Sequence, residues 1–153
     1  MKRRLFLQQS LAAGTMGMLV GSGLLLPRAA LALWPAPAFQ AQEPADVLQA
    51  LFDSNELAEG PGITLTAPEM AENPAGVPIK VSVDMPEVES ITIVAVKNPL
   101  PLIASFKLGA GALPFVATRV KLGGTGDVIA VVKAGGKLYS AQKRVKVSAS
   151  GCG

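Results

Sequence analysis

Ile79-Lys80-Val81-Ser82-Val83-Asp84 decides the fold: apolar and polar residues alternate with a period of two, as in a strand with one face buried and the other wet. The same alternation returns at Arg144-Val145-Lys146-Val147, where two valines oppose two bases. Candidate strands bounded by proline or glycine run from Ile63 to Thr66, Ile79 to Met85, Ser90 to Lys97, Ile103 to Leu108, Phe115 to Leu122, Val128 to Lys133 and Leu138 to Val147. About seven short strands at near-regular spacing predict an all-β fold, an immunoglobulin-like antiparallel β-sandwich. The disulfide usual in that fold is absent, since the chain has a single cysteine.

Three glycine clusters, Gly109-Ala110-Gly111, Gly123-Gly124-Thr125-Gly126 and Gly135-Gly136, fall between these runs. A phosphate cradle needs a helix to follow, whereas strands follow the two later clusters, so all three read as turns. Upstream, Pro44 opens a short N-terminal helix extending to about Glu56, with Val47, Leu48, Leu51 and Phe52 on one face for core packing. Residues 33–43, with Trp34-Pro35-Ala36-Pro37-Ala38, read as a linker that is mobile unless docked.

The first 32 residues have the layout of a signal peptide: Lys2-Arg3-Arg4, an uncharged stretch from Leu5 to Pro27, and Ala30-Leu31-Ala32 as the small-x-small cleavage site after Ala32. Arg3-Arg4-Leu5-Phe6-Leu7-Gln8 resembles a twin-arginine motif, which implies export of a folded protein to the periplasm. An uncleaved membrane anchor is the competing reading; Gly14, Gly17, Gly21, Gly23 and Pro27 make it a poor spanning helix, so no membrane association is expected after cleavage. Removing Lys2, Arg3, Arg4 and Arg28 takes the fourteen bases to ten against eleven acids. The apparent basicity belongs to the signal, and no nucleic-acid partner is implied. Charge is nonetheless segregated: residues 33–96 hold ten acids and only Lys80, residues 97–153 nine bases and only Asp127. That distribution fits either a partner with opposite patches or ordinary solvated strand faces.

Histidine is absent and cysteine occurs once, at Cys152. Histidine-based acid–base catalysis is excluded, and neither a metal site nor a cofactor is expected. An odd cysteine in an exported protein is a free or modified thiol. Residues 148–153, Ser-Ala-Ser-Gly-Cys-Gly, form an expected flexible C-terminal arm with a span of roughly 20 Å, and Gly151 and Gly153 leave the thiol without bulky neighbours. An exposed cysteine has a pKa of about 8.5. Nothing in the adjoining sequence lowers it, so activation falls to a partner enzyme, which suits a carrier better than a catalyst. Two alternatives stay open on residues alone: a cysteine without a role, and a non-catalytic interaction module whose Cys152 forms an intermolecular disulfide.

From about Leu48 onward the chain resembles the SoxY family, the sulfur-carrying subunits of the periplasmic thiosulfate-oxidising Sox system. The resemblance rests on Ala71-Glu72-Asn73 with Val77-Pro78, Asn98-Pro99-Leu100-Pro101 with Ala104 and Phe106, Arg119-Val120-Lys121, Val131-Val132-Lys133-Ala134, Gly136-Lys137-Leu138-Tyr139, Val145-Lys146-Val147 and Gly151-Cys152-Gly153. It implies a sandwich that pairs with a SoxZ-like subunit, meets other Sox enzymes transiently, and carries sulfur species covalently on Cys152 while catalysing nothing itself. Two segments depart from the family pattern: in the tail Ser150 stands where the first glycine is usual and the chain stops at Gly153, and in the loop Pro74 follows Asn73 where glycine is usual.

Overall fold

A computed structural model describes residues 34–148, and from Pro35 onward these belong to one compact unit. After two helices, α1 (Ala36–Gln40) and α2 (Pro44–Phe52), come nine strands: β1 (Ala58–Glu59), β2 (Ile63–Thr66), β3 (Met70–Ala71), β4 (Val77–Val83), β5 (Val88–Ala95), β6 (Leu102–Lys107), β7 (Phe115–Val120), β8 (Gly126–Ala134) and β9 (Lys137–Val147). They form two layers. The larger sheet has the order β1-β9-β8-β5-β6, with β3 also pairing β9, and the smaller has the order β2-β4-β7.

The chain is the expected all-β sandwich. All seven expected strands form, with ends displaced by at most two residues, and the three glycine clusters connect strands. β4 shows why alternation was legible: it is buried at every second residue, with Val77, Ile79, Val81 and Val83 inside and Pro78, Lys80 and Ser82 outside. β5 behaves differently, being buried at six consecutive residues from Ser90 to Ala95. Its Ile91, Ile93 and Ala95 join Val128, Ala130, Val132 and Val145 in the core between the sheets. Its Val94 faces the opposite way, into a cluster with Ala38, Val47 and Leu102. A strand buried on both faces carries no polar–apolar alternation, and here the helices supply the second cover.

That cover corrects the reading of residues 33–43 as a linker. α1 lies within them, and Ala38 is fully buried. The prolines do not break this helix because Pro35 precedes it and Pro37 occupies its first turn, where no intrahelical donor is lost. α2 presents the expected face: Val47 and Leu48 are buried, and Leu51 and Phe52 pack against them. It ends four residues before Glu56, because Asp53 turns left-handed at φ 55° and caps the helix by donating its N–H to the Gln49 carbonyl at 3.0 Å.

Sequence periodicity missed β1 and β3, two residues each, too short to show any. Both pair parallel with β9, so the sandwich is antiparallel except along this one strand. At the other end of β9, Gly135 and Gly136 take φ 54° and 74° in the β8–β9 hairpin, which favours glycine at both central positions. Glu89 braces that turn, accepting from the Gly136 N–H at 3.0 Å and pairing with Lys133 at 3.0 Å. The Lys133 side chain first, and then the Gly136 N–H, holds the Glu89 carboxyl below the usual carboxylate range. A carboxylate with a depressed folded-state pKa contributes stability above its unfolded value and loses it as pH falls through the folded one. Glu89→Gln is therefore expected to be slightly less stable than the parent at neutral pH, and the difference should vanish in titrations carried below that range. Urea melts at a series of pH values check this, and a constant difference at all pH values would contradict it.

Candidate functional site

Cys152, Gly151 and Gly153 lie outside the described residues, as do Arg3, Arg4 and Ala32. What the structure defines is the end of β9, which precedes the segment carrying Cys152. β9 is the longest strand and its last residues lead directly to the arm. At most about 14 Å of chain separates Ser148 from Cys152, counting four residues at no more than about 3.6 Å each.

The end of β9 is held on both flanks. On one side, Lys146 donates its N–H to the Glu69 carbonyl at 2.9 Å and Ser148 donates to the Ala71 carbonyl at 3.3 Å. On the other, the antiparallel ladder with β8 stops at the Gly126–Val145 pair. Beyond that pair a side chain replaces the missing backbone: Val147 donates its N–H to Thr125 Oγ1 at 2.9 Å, and the hydroxyl sits 3.5 Å from the Val147 carbonyl. Ser148, the first residue of the expected arm, is thus still attached to the sandwich.

The loop carrying Thr125 is fastened in turn by Asn98. Its Nδ2 donates to the Lys121 carbonyl at 2.8 Å and its Oδ1 accepts from the Gly123 N–H at 2.7 Å. Leu122 donates to the Pro74 carbonyl at 2.8 Å, and Asn73 closes its own turn by accepting the Ala75 N–H at 3.0 Å. Asn73 and Asn98, which the sequence offered only as parts of a resemblance, therefore act as loop fasteners at the end from which the arm leaves. Thr125 was read only as a turn residue, since no sequence signal marks a hydroxyl that substitutes for a ladder partner. Asn98→Ala removes both bonds of a side chain that bridges two loops and is expected to destabilise the domain by about 1–2 kcal/mol. Asn98→Asp should do no better, because a carboxylate there would face the Lys121 carbonyl; chemical denaturation of both variants measures this.

Two cavities, of about 420 and 520 Å³, lie at the far end of the large sheet; Phe52, Lys133 and Leu138 line the first, and Phe52, Ser90, Lys107 and Lys133 the second. From Leu138 to Ser148 the strand covers roughly 33 Å at about 3.3 Å per residue, more than twice the roughly 14 Å of chain between Ser148 and Cys152. Among the described residues no group of three His, Cys, Asp or Glu side chains is arranged to hold a metal, and no helix is long and apolar enough to cross a membrane.

A family model described as sulfur oxidation protein SoxY matches residues 48–152, from within α2 through Cys152. The chain belongs to the SoxY family. Among solved structures it is similar to the sulfur carrier protein SoxY from Chlorobium limicola f thiosulfatophilum, with 39% identity, a TM-score of 0.62, and coverage of 67% of this chain and 94% of that one. It also resembles the superoxide reductase (neelaredoxin) from Ignicoccus hospitalis at 21% identity and a TM-score of 0.51, over 56% of this chain and 80% of that one, a likeness of fold alone. No curated protein matches significantly. Family and fold together assign the chain a carrier role in sulfur oxidation.

Proposed function

We propose that this SoxY-family chain is a periplasmic carrier that holds thiosulfate-derived sulfur on Cys152 and presents it to Sox enzymes. It works as a heterodimer with a SoxZ-like subunit and catalyses nothing itself. The observation that carries the reading is the family match running through Cys152 on a tail that follows the clamped end of β9. A sulfur atom at most about 14 Å of chain from the body fits an active site in another protein better than one in its own fold. The sequence has no histidine to act as general base for the thiol, which favours activation by the enzyme it visits. Conjugation joins the cysteine sulfur to thiosulfate with the loss of two electrons to the partner enzyme, giving adducts open to thiol exchange. The twin-arginine pattern at Arg3-Arg4 supports export of the folded chain, and the small-x-small pattern Ala30-Leu31-Ala32 supports cleavage to a soluble mature form.

Intact-mass measurement of mature protein from thiosulfate-grown cells tests this reading. A sulfur-containing adduct that reductant removes is expected. A thiol that is always bare would overturn it, and one found only in a disulfide with a second chain would instead support an interaction module.

A further inference from the structure

Ser90, Lys107 and Lys133 stand in one row across the large sheet. The register pairs Ser90 of β5 with Lys107 of β6 on one side and with Lys133 of β8 on the other. Neighbouring strands lie about 4.8 Å apart, so the serine sits between two lysines whose backbones are roughly 10 Å apart. All three line the cavity of about 520 Å³ at the end of α2, whose Leu51 and Phe52 form an apolar part of its wall. Ser90 is only 6% exposed, yet its Oγ has no hydrogen-bond partner among the described residues. A buried hydroxyl left unmet is destabilising and calls for an explanation. Two residues along the same strand, the Thr92 hydroxyl is met by Ser105 Oγ at 2.8 Å, so the fold satisfies one buried hydroxyl of β5 and not the other. Lys107 likewise has no ion-pair partner among the described residues. The two acids of the cavity wall lie toward the β8–β9 hairpin: Glu89 is held by Lys133 and the Gly136 N–H, and the Glu87 carboxylate lies beside Gly135.

We propose that this cavity binds a small tetrahedral oxyanion of the sulfate class. Lys107 and Lys133 supply the positive charge, and the Ser90 hydroxyl, turning about its Cα–Cβ bond, donates between them. Three donors spread along a row suit an ion with several acceptor oxygens and two charges better than a planar, singly charged carboxylate. Leu51 and Phe52 keep water from part of the wall, which strengthens the attraction between the ion and the lysines. Binding gives the Ser90 hydroxyl an acceptor that the described residues do not provide, and sets the ion in competition with Glu89 for Lys133. The site lies at the end of the sheet remote from Ser148 and needs no thiol, so it goes beyond the carrier reading and stands or falls independently of it.

The experiment titrates isotope-labelled mature full-length protein with sodium sulfate, and in parallel with sodium chloride and sodium acetate at equal ionic strength. Amide chemical shifts are the readout, since sulfate raises the melting temperature of folded proteins in general. Saturable shifts centred on Ser90, Lys107 and Lys133 are expected with sulfate alone. Lys107→Gln should weaken binding about tenfold, the scale of a lost charge-assisted hydrogen bond, and Ser90→Ala should weaken it several-fold. The alanine variant should nevertheless be no less stable than the parent, because it removes a buried hydroxyl that lacks a partner. Glu89→Gln frees Lys133 and removes a negative charge, so binding should tighten. Lys80→Gln, which neutralises an exposed lysine on the other sheet, should leave the affinity unchanged. Shifts absent with sulfate, or reproduced by chloride or acetate, overturn the proposal, as does a sulfate affinity that both Lys107→Gln and Ser90→Ala leave intact.

Discussion

Cys152→Ser protein is expected to carry no sulfur adduct and to bring thiosulfate oxidation in a reconstituted Sox system down to background. At an ordinary pKa of about 8.5, roughly a tenth of an exposed thiol is already thiolate at pH 7.5, the form that attacks and is attacked in sulfur exchange. A serine hydroxyl has no comparable anionic population and forms no sulfur–sulfur bond. No neighbour can substitute, because the chain contains no second cysteine. The same variant should melt at the parent temperature, since its position lies beyond the last strand of the sandwich. Thiosulfate-dependent electron transfer and intact mass are the measurements. An active Cys152→Ser protein would remove the thiol from the mechanism altogether.

Ile93→Ala should have the largest effect on stability, about 4 kcal/mol, because it empties the centre of the core. Ile93 is fully buried in β5, paired with Ala104 on β6 and Ala130 on β8. The methyl groups of the alanines on both sides are too short to lean into the space, so a cavity remains and its cost adds to the lost transfer free energy. For a domain of this size that corresponds to a fall in melting temperature of roughly 15 °C. By contrast Val94→Ala, one residue on and facing α1 and α2, lies in a smaller cluster with Ala38, Val47 and Leu102 that the helices can partly close by shifting. A thermal melt of the two variants side by side should place Ile93→Ala clearly lower. Equal losses would mean that the helices are as rigidly packed as the sandwich.

The contrast between these two neighbours also separates what residue order reveals from what folding decides. The strands, the turns between them, the apolar face of α2 and the singular thiol were all legible in the sequence, because each depends on residues close together in the chain. Period-two alternation at β4 is set by one face meeting solvent, and glycine pairs mark hairpins by their own backbone freedom. Tertiary structure alone decided the rest. The docking of α1 turns on a surface made by β5, β6 and β8, more than fifty residues downstream, so its prolines read as a linker. β1 and β3 exist only because β9 has open edges for two residues at a time. Thr125 acquires its partner because β8 leaves the ladder just where β9 continues, an event of sheet geometry with no local trace. The candidate thiol was thus legible in the sequence, while the bonds that hold the end of the strand before it were settled by contacts between segments distant in the chain.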